Sequence, residues 1–546
     1  MHENSAQSLA PAKRTLSDGP SDLLPSKRTN IEGERPEYSE QREPVTTDTG
    51  GNAETLVEST GGAERPEKRD ATHSQKSRRG KAKDDSRRRQ RVEGPRKTPE
   101  GLVEHGPKPL RLPKRMTALL IGFCGAGYNG MQIQQPPART IEGILFEALI
   151  RAGAISQDNA DNPAKVSLSR AARTDAGVHA AGNLVSMKLI TTIPGVKDWV
   201  AHVNAELPPE IRVWNKVRVQ NSFDARLSCD SRKYTYFFPS YLLIPPKPNS
   251  AFARAQQAAG NNFSHPFWDF PGANSSSLEE DLIRKREWRV GPEQLQALRA
   301  TAKKYEGTHN FHNFTIGREF GDRSNQRLML KIEVQDPAVY GNTEWISILF
   351  HGQSFMLHQI RKMMAGLVLP CRTGTPGDII DELYGPRMVL VPKMPALGLL
   401  LEYPIFGSYN RKVTSRNDNI DPSHPDYRQD IDFEKHREAI DIFKQTFIYD
   451  KMRETEDRFG IFDAWIRHID CYHGNDLLYL NPRGIIPPAA VIEKRGRRAN
   501  AFRESRRFDI TGPTEIKEGT PAIADEAAED DAEENLSKRT LEDMEG

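Results

Sequence analysis

The chain has 546 residues, of which only 36% are hydrophobic and 28% are charged, and its formal net charge is +2. No apolar run approaches the roughly 18 residues that a membrane-spanning helix needs, and the N-terminus has no signal-peptide core. The four cysteines are scattered without a Cys-x-x-Cys pair, which argues against a disulfide framework and fits a reducing compartment. We therefore expect neither a membrane protein nor a disulfide-rich secreted one.

The chain has two oppositely charged end segments, although its net charge is near neutral. Lys76–Lys97 holds 11 basic and 3 acidic residues, whereas Glu515–Gly546 holds 3 basic and 12 acidic ones. Residues 1–110 and 491–546 lack apolar periodicity and are predicted to be disordered. Basic runs in such segments are recognised by nuclear import receptors or bind nucleic acid without sequence preference. The first run therefore predicts a nuclear protein with an import receptor as partner; the alternative is a merely solvated linker.

The folded part is predicted to begin near Leu112 with a strand over Met116–Phe123. The loop G-A-G-Y-N-G-M-Q-I-Q follows, and it lacks the G-K-[ST] that a nucleotide-binding P-loop requires. Thr140 then has the position of an N-cap, with a helix after it. Apolar runs predict strands over 183–189 and 211–219, and the stretch 223–238, with aromatic and basic residues interleaved, leads into a further strand.

The second half repeats strand and helix patterns, which favours an α+β architecture. Residues 244–291 are rich in Pro, Asn, Ser and charge and are predicted to be a surface excursion. A helix is expected over Pro292–Glu306 and an amphipathic one over Gln353–Leu367. Between them, two antiparallel strands are predicted from Trp345–Phe350 and from the alternation of Leu328, Leu330, Ile332 and Val334.

One polar stretch, S-R-A-A-R-T-D-A-G-V-H-A over 169–180, interrupts the apolar pattern. It presents the carboxylate of Asp175 beside Arg173, and Gly177 allows a sharp turn just after the acid because glycine accepts positive φ. A carboxylate on such a turn can act as nucleophile or general base, and a nearby arginine would keep it ionised. The alternative is an ordinary Asx turn, in which the carboxylate caps its own backbone.

Two further side chains are candidates for chemistry. Tyr234 lies in R-K-Y-T-Y, where Arg232 and Lys233 could contact phosphate while the ring stacks on a base; alternatively the ring packs in the core. Arg361 lies on a helix with a largely apolar face. If buried there it needs an anionic partner; alternatively its stem carries the charge to the surface.

Four strings stand in order between about Leu112 and Pro404: A-R-T-D-A-G-V-H-A, R-K-Y-T-Y, G-Q-S-F-M-L-H-Q-I-R and M-P-A-L-G-L-L-L. Together they resemble the motifs of the TruA-type tRNA pseudouridine synthases. The resemblance implies that Asp175 is the essential aspartate, that Tyr234 stacks on the target base and that Arg361 pairs with Asp175. These three are the predicted catalytic residues. The predicted RNA-binding residues are Arg173, Thr174, Arg232, Lys233, His309 and Leu399.

The resemblance also implies the architecture. It predicts two related α+β subdomains, at 111–243 and 292–410, that form a central antiparallel sheet with an RNA-binding cleft. The segments R-K-Y-T-Y-F-F-P-S-Y-L-L-I-P-P-K-P and Y-L-N-P-R-G-I-I-P are similar to a eukaryotic multisite branch of the family. That branch carries a helical C-terminal extension, which we place at 411–490, between the second subdomain and the tail. The insertion at 244–291 separates the two subdomains.

The implied activity is isomerisation of uridine to pseudouridine in tRNA, precursor tRNA included, on a base flipped out of its stack. Small nuclear RNA and mRNA are expected as further substrates. No cofactor is needed for chemistry, because the product is an isomer of the substrate. Whether Asp175 attacks the ribose, attacks the base or abstracts a proton is left open.

Two alternatives accompany this hypothesis. The chain could be a non-catalytic RNA-binding relative, but such a protein would be expected to lose the acid, the tyrosine or the arginine, and all three are present. His468, Cys471 and His473 could hold a structural zinc, although their spacing matches no standard zinc pattern.

Overall fold

The computed structural model describes residues 112–493 and 500–509. The predicted basic run at Lys76–Lys97 and the acidic end at Glu515–Gly546 lie outside these residues. The strands are β1 Lys114–Phe123, β2 Ser169–Arg170, β3 His179–Ile190, β4 Ile211–Arg218, β5 Ser231–Pro239, β6 Gly307–Asn310, β7 Gln326–Val334, β8 Ala338–Tyr340, β9 Thr343–Gly352 and β10 Leu399–Ile405. The helices are α1 Ile141–Arg151, α2 Trp199–Ala205, α3 Ala251–Ala258, α4 Leu278–Glu287, α5 Pro292–Lys303, α6 Gln359–Thr373, α7 Ile379–Leu383, α8 Gly407–Asn417, α9 Arg437–Phe443, α10 Asp450–Phe459 and α11 Ile461–Asp470.

These strands form one sheet in the order β4-β1-β3-β10-β5-β9-β7-β6, with β2 on β3 and β8 on β9. The predicted α+β fold with a central sheet is confirmed. The sheet is antiparallel except at its centre, where β10 runs parallel to β3 through Leu400–His179 and Leu401–Ala180. β10, from the predicted C-terminal subdomain, therefore lies between β3 and β5 of the predicted N-terminal one, and it brings the start of β3 close to β5. The subdomain boundaries themselves stay predictions.

Both faces of the sheet are covered, which explains why the β1 sequence reads as an unbroken apolar run. Leu119 belongs to the core cluster that also holds residues of α1, α5, α6 and α11. Its neighbour Leu120 points the other way, into a smaller cluster with residues of α8 and α9. The predicted N-cap is confirmed: Thr140 Oγ1 accepts a hydrogen bond from the amide of Gly143 at the start of α1.

Two element predictions are wrong in detail. The alternation in β7 breaks at a β-bulge between Met329 and Lys331, so Met329 is buried and Leu330 is 48% exposed. α6 begins at Gln359 rather than Gln353. The apolar residues before it, which mimic a helical pattern, form a loop instead. α6 is also buried almost all round, so its polar side chains face other parts of the protein and not solvent.

The insertion at 244–291 is not merely a surface excursion. It contains α3 and α4, and Phe252 and Trp268 are buried. Lys285 of α4 forms a buried ion pair with Asp463 of α11 at 2.8 Å, and Gln256 donates a hydrogen bond to the carbonyl of Leu477. The insertion and the helical extension thus pack against each other. Among the described residues, no helix combines the length and apolar character that crossing a membrane requires.

Part of the predicted disordered tail is folded. In residues 500–509, Phe502 and Phe508 are buried, and both rings contact the imidazole of His468 on α11. The amide of Phe502 donates to Asp476 at 2.8 Å. The prediction of disorder is therefore wrong for this segment, because two widely spaced aromatic residues anchor a chain that is otherwise polar.

Candidate active site

The loop between β2 and β3 carries Asp175, and it is held from one side by the glycine-rich loop after β1. The carbonyl of Thr174 accepts from the amide of Met131 at 3.1 Å, and the amide of Gly177 donates to the carbonyl of Tyr128 at 3.2 Å. Gly130 has φ +86°, and a Cβ there would lie 2.9 Å from the Thr174 carbonyl oxygen. The glycine-rich loop thus serves to pack closely against the Asp175 loop.

His358 contacts Asp175 directly. Its Nδ1 lies 2.8 Å from Asp175 Oδ2, a distance at which an imidazole N–H donates to the carboxylate. This contact argues against the Asx-turn alternative, because the carboxylate is bound by another part of the chain. His358 precedes α6 with φ +59°, a left-handed conformation that is uncommon for a residue with a Cβ and is typical of functional sites.

Arg361 is completely buried, so its stem does not carry the charge to the surface. Its Nη1 lies 3.8 Å from Asp175 Oδ2, which is a long ion pair and agrees with the predicted pairing. The closer carboxylate is that of Asp509, which accepts a hydrogen bond from Arg361 Nη2. Arg361 Nε donates to the carbonyl of Met394 at 2.6 Å. The arginine is therefore shared between two carboxylates.

These charges keep Asp175 ionised. Burial alone would raise the pKa of Asp175, but the charge and hydrogen bond of His358, followed by the charge of Arg361, outweigh burial and hold the pKa below its usual value. The same balance applies to Asp509: burial alone would raise the pKa of its carboxyl, but the charges of Arg361 and Lys393 outweigh burial and lower the pKa. Asp175 is thus an anion ready for nucleophilic or base chemistry at neutral pH.

Tyr234 and Leu399 lie beside this carboxylate on neighbouring strands, since Tyr234 on β5 is opposite Leu401 on β10. The Tyr234 ring meets Phe355 edge-on at 5.2 Å between centroids. Burial raises the pKa of the Tyr234 phenol far above neutrality, so the hydroxyl stays protonated. Together with Asp175 these side chains line a cleft of about 480 Å³, counting its open mouth. One wall is apolar and the other carries the acid.

The predicted RNA-binding residues divide into those at the cleft and those elsewhere. Arg173 and Thr174 line it. Lys233 faces the opposite side of the sheet, where its ammonium lies 5.3 Å from the Tyr403 ring centroid, because successive residues of a strand alternate. His309 stacks on Tyr384 at 4.3 Å between ring centroids and is not among the residues of the cleft.

Arg232 is a correction to the sequence-based expectation. It is buried, and its Nε and Nη2 donate to the carbonyl of Ala171 at 3.2 and 2.7 Å. Its Nη1 donates to the carbonyl of Gln353 at 2.8 Å. The guanidinium therefore ties the loop of Asp175 to the loop of His358 and is not directed at an RNA phosphate.

Sequence reasoning missed three residues of the site: His358, Phe355 and Asp509. The first two lie within the quoted string around Arg361, so their spacing from that arginine was the available signal. Asp509 had no such signal, because it lies in a polar tail far from every motif.

The side chains of His468, Cys471 and His473 are not grouped as zinc ligands in the described residues. His468 Nε2 lies 2.8 Å from the carbonyl oxygen of Arg503, and its ring packs on Phe502 and Phe508. Within 112–493 and 500–509, no three side chains among His, Cys, Asp and Glu are grouped to hold a metal ion.

Comparison with known proteins shows the family of the chain. The family model of tRNA pseudouridine synthase matches residues 301–406. Among curated proteins, the tRNA pseudouridine synthase 1 of Candida glabrata is 40% identical over 67% of this chain and 72% of its own length. The protein of that name from Schizosaccharomyces pombe is 36% identical over 71% and 88%, and the tRNA pseudouridine(27/28) synthase of Saccharomyces cerevisiae is 40% identical over 54% and 85%. The chain belongs to the tRNA pseudouridine synthase family.

Proposed function

We propose that this chain isomerises uridine to pseudouridine in tRNA, precursor tRNA included, and that Asp175 is the residue on which the reaction depends. The observation that carries this proposal is the ionised carboxylate of Asp175 at one wall of an open cleft, facing Tyr234 and Leu399. A nucleobase is flat and apolar on its faces, so it fits against the tyrosine and leucine side of such a cleft. Its ribose then lies toward the carboxylate.

The reaction needs no oxidant or group donor. The bond between N1 of uracil and C1′ of the ribose breaks, the base rotates, and a bond between C5 and C1′ forms while the hydrogen on C5 leaves as a proton and N1 takes up a proton. The target base must first leave its stack, at a cost of a few kcal/mol, and we assign Arg173 to the space that it vacates. Arg361 and His358 hold Asp175 in place and ionised, and neutral Tyr234 stacks on the base.

Release of tritium from tRNA that carries uridine labelled at C5 tests this assignment. Asp175→Asn is nearly isosteric but cannot act as an anion, so we expect no tritium release while tRNA binding is retained, because phosphate contacts dominate affinity. The control is Asp161→Asn, an exposed acid that pairs with Lys165 at the surface; it should match the wild type. Turnover by a folded Asp175→Asn protein would refute the assignment.

The same assay addresses the alternative of a non-catalytic RNA-binding relative. That alternative predicts that the wild-type chain binds tRNA yet releases no tritium. The presence of an acid, a tyrosine and an arginine around one cleft favours the enzyme, since binding alone requires neither the anion nor its buried counter-charge.

We also propose small nuclear RNA and mRNA as substrates, because a cleft that accepts one flipped base places few demands on the rest of the RNA. For location we propose the nucleus, with an import receptor binding Lys76–Lys97, on the strength of that basic run alone. A chain beginning at Gly106 and fused to a reporter too large for passive entry should stay cytoplasmic but keep its turnover. Nuclear accumulation of that fusion would contradict the proposed signal.

A further inference from the structure

A second carboxylate, Asp509, reaches the active site from the C-terminal segment 500–509. It accepts a hydrogen bond from Arg361 Nη2, and its other oxygen lies 3.0 Å from Lys393 Nζ. Both cations are buried. Arg361 thereby makes a hydrogen bond to Asp509 while it stays 3.8 Å from Asp175.

The segment that carries Asp509 is fixed at several points. Besides the burial of Phe502 and Phe508, Glu504 accepts a hydrogen bond from the backbone amide of Lys393 at 2.8 Å. The carbonyl of Arg503 lies 2.8 Å from His468 Nε2. The backbone that carries Asp509 is therefore fixed by several contacts, so the position of its carboxylate beside Arg361 is also fixed.

Asp509 does not block the cleft. The residues that line the cleft come from the loop of Asp175, from Tyr234, from Leu399 and from the stretch Phe355–Ile360. Asp509 is absent from that set and reaches Arg361 from outside it. The geometry is that of a support and not of an inhibitory plug.

The charges explain what such a support does. Arg361 and Lys393 are two buried cations, and Asp509 is a carboxylate that contacts both of them. Without Asp509, Arg361 would lose its hydrogen-bonded carboxylate and keep Asp175 at 3.8 Å, and leaving a buried charge uncompensated is costly. The guanidinium would then lose the hydrogen bond that fixes its position beside Asp175.

We propose that Asp509 is a positioning residue of the active site, which holds the Arg361 guanidinium in place beside Asp175. The proposal rests on the proposed function, and within residues 500–509 it concerns the Asp509 carboxylate alone. Its effect should appear in the chemical step, since Asp509 does not line the cleft.

Single-turnover tritium release from C5-labelled tRNA, with tRNA affinity measured in parallel, tests the proposal on the full chain. We expect Asp509→Asn to lower the rate constant by about tenfold to a hundredfold, the scale of a small misplacement of a reacting group. Affinity should stay within about twofold, because phosphate contacts dominate it. Asp509→Glu restores the charge and should recover part of the rate. Glu504→Gln, in which the amide oxygen can still accept from Lys393, should match the wild type.

A wild-type rate for Asp509→Asn would overturn the proposal, and a faster rate would replace it with an inhibitory contact. An equal loss in Glu504→Gln would assign the effect to the segment and not to the carboxylate. If Asp509→Asn does not fold, the double variant with Lys393→Met removes one cation and restores the charge balance. That variant should fold and remain slow, and a wild-type rate there would also overturn the proposal. Failure of the wild-type chain to release tritium would instead refute the proposed function.

Discussion

Arg232 offers the sharpest test of how the site is held together. Three hydrogen bonds leave its guanidinium, two to the carbonyl of Ala171 and one to that of Gln353. Arg232→Met keeps the apolar stem and removes all three. Each buried carbonyl left without a partner costs about 1–3 kcal/mol. With two of them, the free energy of unfolding should fall by about 2–4 kcal/mol, allowing for the packing that methionine retains.

The rate should fall as well, because these two carbonyls belong to the loops that place Asp175 and His358. Urea unfolding and single-turnover tritium release measure the two effects. Lys233→Met is the matched control: it is the next residue of β5, faces the other side of the sheet, and its ammonium contacts the Tyr403 ring and hydroxyl. Its stability should stay within about 1 kcal/mol of the wild type.

The opposite outcome is equally specific. If Arg232 bound an RNA phosphate, Arg232→Met would unfold like the wild type and would reduce the slope of log affinity against log salt by about one. That result would refute the structural role assigned to Arg232.

Two further predictions concern the same loops. Gly130→Ala forces a Cβ to 2.9 Å from the Thr174 carbonyl oxygen at φ +86°, so we expect the tritium-release rate to fall more than about tenfold with tRNA binding retained. The control is Gly127→Ala, which has φ +78° and open space around it and therefore bears only the conformational cost. An equal loss of rate in Gly127→Ala would contradict the packing argument. His179 is buried with Nδ1 accepting from the amide of Gly125, and burial lowers its pKa to about 4. As the pH falls from about 6.5 to about 4, His179 binds a proton in the unfolded chain but not in the folded one. The contribution of His179 should therefore lower the free energy of unfolding by about 3 kcal/mol. His179→Gln should lose that part of the slope in urea unfolding between pH 7 and pH 4.5, and an unchanged slope would show that His179 is protonated in the folded protein.

Much of the fold follows from local pattern. The apolar run of β1 and the capped start of α1 follow from short-range pattern, and both were predicted close to their observed positions. The antiparallel pairing of β7 with β9 was also predicted, although the alternation of β7 breaks at a bulge. The residues of the site were also recognisable as strings. Asp175, Tyr234 and Leu399 line one cleft and Arg361 is buried beside it, although the strings lie far apart in the chain.

Other features depended on contacts between distant parts of the chain. Arg232 and Lys233 are an equivalent basic pair in the sequence. Only their positions on β5 in the sheet show that Arg232 is a buried structural residue and that Lys233 lies on the opposite face. Leu330 is exposed because a single bulge reverses the alternation of β7. Asp509 reaches Arg361 because two isolated aromatic rings hold an otherwise polar segment against α11. Sequence periodicity reports which side of an element is apolar, whereas the partner of a buried charge is decided by long-range packing that no local pattern records.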